Sequence, residues 1–190
     1  MDKNKNRPGL VQQINRNDKT YPAILHEHLS EKAPERLTAI GPVELLANQK
    51  TALFCSARTP GEAILRAYDM ARRLRDEGAT VISGFHSPIE KECLKTLLRG
   101  KQPIIICPAR AIERMHIPTE CRPAFDSGRI LFLSPFIEKP KRIDRQSALY
   151  RNEVVAALAD TIYLAHIEPG GDLERIANLF RQRAAHLLSS

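Results

Sequence analysis

Lys50-Thr-Ala-Leu-Phe-Cys-Ser-Ala-Arg-Thr-Pro-Gly61 is the stretch on which the fold turns. Residues 51–55 are mostly apolar and short enough for a buried strand. Ser56-Ala57-Arg58 is a polar turn, and Thr59-Pro60-Gly61 opens a helix. In an open α/β sheet, ligands sit outside the carboxyl ends of the strands. Backbone N–H groups at the following helix start make such a turn a natural phosphate site. Ser56 adds a hydroxyl and Arg58 a guanidinium. Cys55 stands where a dinucleotide fingerprint needs glycine. Taken alone, the turn fits a phosphate site and an ordinary strand-to-helix connection equally well.

The same alternation continues downstream. A helix is expected over 62–77, with Ile64, Ala67, Tyr68, Ala71 and Leu74 on one stripe. A second strand over 79–83 ends in Ser83-Gly84-Phe85-His86. Ser87 and Glu90 form a capping box with Pro88 at the first helical position, so a helix follows over 88–99. The unbroken apolar run 103–107 reads as a strand buried on both faces. A short helix over 118–127, a strand over 129–133, a helix over 147–159 and a strand over 161–165 come next. A last helix is expected over 172–188, with Asp172 as its N-cap. The pattern predicts a doubly wound, Rossmann-like α/β fold: a mainly parallel sheet of five or more strands, covered by helices on both faces.

Three segments follow from this reading. Residues 1–20 are polar and basic and are expected to form a flexible arm. Residues 21–48, broken by Pro34 and Pro42, form a lead-in of turns and short helices. Residues 49–190 form the Rossmann-like domain. His26 and His28 are spaced for one face of a strand and read as solvated. The chain has 190 residues and a formal net charge of +7, which favours a polyanionic partner such as nucleic acid. Its four cysteines include no CxxC pair and read as small buried hydrophobes, not zinc ligands. No metal, no cofactor and no catalytic residue is expected. No stretch is apolar enough to span a membrane, and the chain is expected in a reduced cytoplasm.

Polar groups collect at the strand ends: Ser56 and Arg58; Ser83, Gly84, His86 and Ser87; Arg110 and Arg114; Ser134; His166, Glu168, Gly170 and Gly171. In a parallel sheet these ends share one edge and should converge. Arg151 and Asn152, early in the helix over 147–159, can point to the same edge.

Several stretches together resemble the DNA-processing protein DprA (Smf) family. TYPAILHEHLSEKAPERLTAIGPVELL is similar to that family's lead-in, ALFCSAR to its first strand and turn, and GATVISGF to its second strand ending in Val-Ser-Gly. LFLSPF, YRNEVVAALAD and TIYLAHIEPGGDLE resemble its later motifs in order and spacing. The resemblance covers roughly residues 20–180. It implies binding of single-stranded DNA, delivery to the recombinase RecA, and a role in recombination and transformation. The family's phosphate-binding positions fall on Ser56, Arg58, Ser83, Gly84 and Asn152. A free nucleotide and a homodimer are further partners to test.

The chain departs from the family at Cys55, at Phe85-His86-Ser87-Pro88, and in the loop over 110–118, which lacks an aromatic ring to stack on a base. It is expected to be a short stand-alone member without the winged-helix-like domain of many relatives. An alternative is a nucleotide-processing enzyme. Glu168-Pro-Gly-Gly-Asp-Leu-Glu174 partly resembles the Pro-Gly-Gly motif of the cytokinin-activating phosphoribohydrolases, although the Gly-Thr of that motif is missing.

Overall fold

A computed structural model describes residues 10–56, 59–137 and 144–181. Its centre is one seven-stranded sheet in the order β1-β2-β6-β5-β4-β3-β7. Strands β3 (Lys50–Phe54), β4 (Thr80–Ser83), β5 (Ile104–Ile106), β6 (Ile130–Ser134) and β7 (Thr161–Leu164) run parallel to one another. They are the five strands expected from the sequence, each displaced by one or two residues at most.

The other two strands depart from the sequence reading. Val11–Asn15 forms β1 and Arg36–Ile40 forms β2, both antiparallel to their neighbours. Residues 11–15 therefore belong to the sheet and not to a flexible arm. In VQQIN only Ile14 is buried, so the stretch carries too little apolar signal to stand out. Its order comes from pairing along β2. In β2, Leu37 to Ile40 are fully buried, a short strand flanked by the two prolines that suggested turns. His26 and His28 lie in helix α1 (Ile24–Leu29), which buries Leu25 and Leu29, four residues apart on one face. The His28 ring packs edge-on against Phe180, centroids 5.9 Å apart.

Helices cover both sheet faces. α2 (Gly61–Asp76) buries Ala63, Ala67, Ala71 and Leu74, and α3 (Pro88–Leu98) buries Ile89, Cys93 and Leu97. They pack with Leu53, Val81, Ile104 and Ile106 on one face. α5 (Arg145–Leu158) and α6 (Asp172–Leu179) cover the other, against Ala52, Phe54, Ile82 and Ile105. Successive strand residues thus feed opposite cores, each fully buried Ile or Leu contributing about 1.5–3 kcal/mol. The expected helix over 118–127 is a single 3₁₀ turn leading into α4 (Arg122–Asp126). α6 is capped by Gly171, with Asp172 as its first residue and not its N-cap. Residues 182–188 of the expected last helix lie outside the described residues.

Gly41 joins β2 to the lead-in of β3 at φ +114°, and a Cβ built there would lie 2.4 Å from the Ile130 carbonyl oxygen. Both the backbone angle and the close approach to β6 demand glycine. Gly41→Ala is expected to destabilise the fold by about 2 kcal/mol or more, read as a lower midpoint in a thermal or urea melt.

Candidate functional site

Where β3, β4 and β7 end, the chain leaves a cleft of about 670 Å³. Ser56 enters from the turn after β3, and His86 and Ser87 from the turn after β4. Glu168 to Leu173 enter from the loop after β7, and Arg145, Arg151 and Asn152 from α5. Most come from carboxyl strand ends or from the first turn of a helix, where parallel winding gathers them, while Arg151 and Asn152 come from the middle of α5.

The floor is organised by Glu90. Its carboxylate is 6% exposed and accepts the Cys55 N–H at 3.0 Å, the His86 N–H at 2.8 Å and the Ser87 N–H at 3.2 Å. The local part is a capping box at the start of α3, closed by the Glu90 N–H donating to Ser87 Oγ at 3.2 Å. The long-range part is the bond to Cys55, which ties the end of β3 to the end of β4. These N–H groups are the donors a phosphate would use in the turns after the two strands. Here a protein carboxylate holds them, so an anion in the cleft must find other partners.

Arg151 is the second buried charge, 4% exposed, with Nη1 donating to the Cys107 carbonyl at 2.9 Å. Its guanidinium lies against Gly84, where a Cβ would come within 1.2 Å of Nη1. Glycine at 84 is therefore the space that admits the arginine. Burial draws the Arg151 pKa below its ordinary value, while the Glu90 carboxylate pulls the other way. At the rim, Arg145 forks onto Asp172 with bonds of 2.8 and 3.1 Å, and the Gly170 N–H donates to Glu174 Oε2 at 2.8 Å. The described lining thus carries the carboxylates of Glu90, Glu168 and Asp172 against the guanidiniums of Arg145 and Arg151.

The family model for DNA recombination-mediator protein A matches residues 12–172. The chain belongs to that family. Two solved structures share its fold. DNA processing protein A (DprA) from Streptococcus pneumoniae is 19% identical, with a TM-score of 0.68 over 88% of this chain and 60% of that one. DNA processing protein A from Helicobacter pylori, solved for its single-stranded DNA binding mode, is 20% identical, with a TM-score of 0.67 over 92% of this chain and 78% of that one. This DprA-family chain thus spans about 60% of the length of the S. pneumoniae protein. No curated protein matches the sequence.

The site residues expected from the sequence divide into groups. Ser56, His86, Arg151, Asn152, Gly170 and Gly171 line the cleft. Gly84 and Arg110 line a second cleft, of about 640 Å³, on the other side of the turn after β4. Ser83 and Ser134 line neither and are fully buried. Ser83 Oγ accepts the Phe85 N–H at 3.3 Å, and Ser134 Oγ donates to the Arg110 carbonyl at 2.7 Å and accepts the Phe136 N–H at 3.1 Å. Both hydroxyls shape the turns that leave their strands. Arg58 lies outside the described residues. Glu90 was visible to sequence reasoning only as a capping residue, and its reach to Cys55 left no local signal.

Removing the Glu90 side chain leaves three backbone donors at the cleft floor without their acceptor. Glu90→Ala is expected to cost about 2–4 kcal/mol, read as a cooperative shift in a urea melt. All four cysteines are free and buried. Burial pushes the Cys107 thiol up to about 12 and Cys121 up to about 11, and the buried neighbour Cys93 raises Cys55. The native chain is therefore expected to resist a thiol reagent at about pH 8.5, the ordinary thiol midpoint, and to react with all four equivalents only in denaturant.

Proposed function

We propose that this chain is a non-enzymatic single-strand binding module of the DprA family, and that the cleft between β3, β4, β7 and α5 holds the strand. The observation that carries the reading is the convergence of Ser56, His86, Asn152, Gly170 and Gly171 on one carboxyl-edge cleft in a chain of this family. Because Glu90 occupies the inner backbone donors, the strand is gripped from the rim. Asn152 and the Ser56 and Ser87 hydroxyls supply neutral hydrogen bonds to sugar and phosphate oxygens. Arg58, two residues past Ser56 in the sequence, is the cation that the family pattern assigns to phosphate. The net charge of +7 adds a salt-dependent attraction. Delivery of the strand to RecA is the step this reading places next, and co-precipitation of the two proteins on single-stranded DNA tests it.

Nucleotide processing is the second reading, favoured by three carboxylates in one cleft. The bonding weighs against it. Of the three, Asp172 is engaged by Arg145 and Glu90 by backbone donors, and Glu174 of the partial Pro-Gly-Gly motif is held by the Gly170 N–H. Chromatography of nucleoside monophosphates incubated with the protein separates the two readings, since binding alone leaves them intact.

Fluorescence anisotropy with labelled single strands is the principal test. Neutralising roughly 3–5 phosphates gives a log–log salt slope of about −2 to −3.5. Asn152→Ala is expected to weaken binding by about threefold to tenfold, and Arg58→Ala by about tenfold to a hundredfold. Arg181→Ala, an exposed control, should change little. A flat salt response, or binding by Arg58→Ala and Asn152→Ala equal to the control, overturns the assignment.

A further inference from the structure

Of the two guanidiniums in the described lining of the main cleft, only Arg145 reaches solvent. Arg151 is buried and bonded to the Cys107 carbonyl, whereas the Arg145 side chain is 76% exposed. That exposed fork is already occupied. Its Nε lies 3.1 Å from both carboxylate oxygens of Asp172, and its Nη2 lies 2.8 Å from one of them. A guanidinium meets a phosphate by the same paired hydrogen bonds. Asp172 therefore sits where two phosphate oxygens would bind.

The pair is also a partition. Arg145, Gly170, Gly171 and Asp172 line the main cleft, and the same four residues line a smaller groove of about 480 Å³. The pair ties the first residue of α5 to the first residue of α6 at the boundary between the two hollows. A strand passing from the cleft into the groove crosses it. The neighbouring charges are otherwise engaged. Asp144 accepts the Ser147 N–H at 2.8 Å, and Arg175, which lines the groove, is paired with the buried Glu153 at 2.9 Å. An exposed ion pair adds little to stability, so exchanging one anion for another on Arg145 costs the fold little.

We propose that Arg145 is a phosphate clamp of the strand site, and that Asp172 is the carboxylate that occupies it until a strand phosphate takes its place. The inference rests on the single-strand reading above. Once the phosphate is on Arg145, the bar between cleft and groove is open, and the next nucleotide lies in the groove beside Leu149 and Arg175. A carboxylate tethered in the same chain competes at high effective concentration, so the strand needs a second hold in the cleft to displace it.

The test measures binding of a labelled oligothymidylate by anisotropy on wild type, Asp172→Asn, Arg145→Ala and the double variant, each checked by thermal melt. Asp126→Asn makes the same charge change at an exposed position that lines neither hollow, and serves as the control. Arg145→Ala should weaken binding by about fivefold to thirtyfold and lower the log–log salt slope by about 0.7. Asp172→Asn should tighten binding by about threefold to tenfold when Arg145 is present, and by less than about twofold when it is alanine. Asp126→Asn should change little. An equal gain from Asp172→Asn in both backgrounds means plain repulsion and overturns the clamp. Binding by Asp172→Asn or by Arg145→Ala equal to wild type also overturns it. Each of these leaves the single-strand reading standing. If Asp172→Asn does not fold, Asp172→Ser decides by the same comparison. Failure of wild type to bind the strand overturns the single-strand reading, and this inference with it.

Discussion

The carboxylate of Glu90, accepting three backbone N–H groups inside the sheet edge, is the interaction around which the functional end is built. A buried carboxylate is tolerable only when its charge is met by donors and a nearby cation. The Cys55, His86 and Ser87 N–H groups supply the donors, and Arg151 supplies the opposing field. The β3 turn, the β4 turn and the start of α3 are thereby fixed to one another. The walls of both clefts inherit their positions from that arrangement.

This has a consequence for recognition. An α/β edge ordinarily offers its backbone donors to a ligand phosphate. Here the inner donors serve the fold, and the cleft floor carries negative charge of its own. Any attraction for a polyanion is left to the rim and to the summed field of the chain.

The turn from Ser83 to Pro88 divides that edge. Gly84 faces Arg151 so closely that no side chain fits, and Phe85 takes a left-handed angle directly after it. These two residues set the buried arginine on one side and an aromatic wall on the other. Ser83, whose hydroxyl accepts the Phe85 N–H, stabilises the turn from beneath and lines neither cleft.

By itself the sequence determined the five parallel strands and the helices between them, because apolar periodicity is a local property and strand–helix–strand alternation winds one way; it gathered polar residues at the strand ends, of which Ser56, His86, Arg151, Asn152, Gly170 and Gly171 line one cleft. The same local evidence could not place β1 or β2. VQQIN has no apolar pattern of its own, and Leu37–Ile40 becomes a strand by pairing with β6, a partner more than 90 residues away in the chain. Nor could it show that Glu90 reaches across to Cys55, that Ser83 and Ser134 turn inward, or that Arg110 stands at a separate apolar cleft. Those facts depend on which strands lie side by side and on where each side chain finds space. Only tertiary packing decides them, since the contacts join residues that the chain keeps far apart.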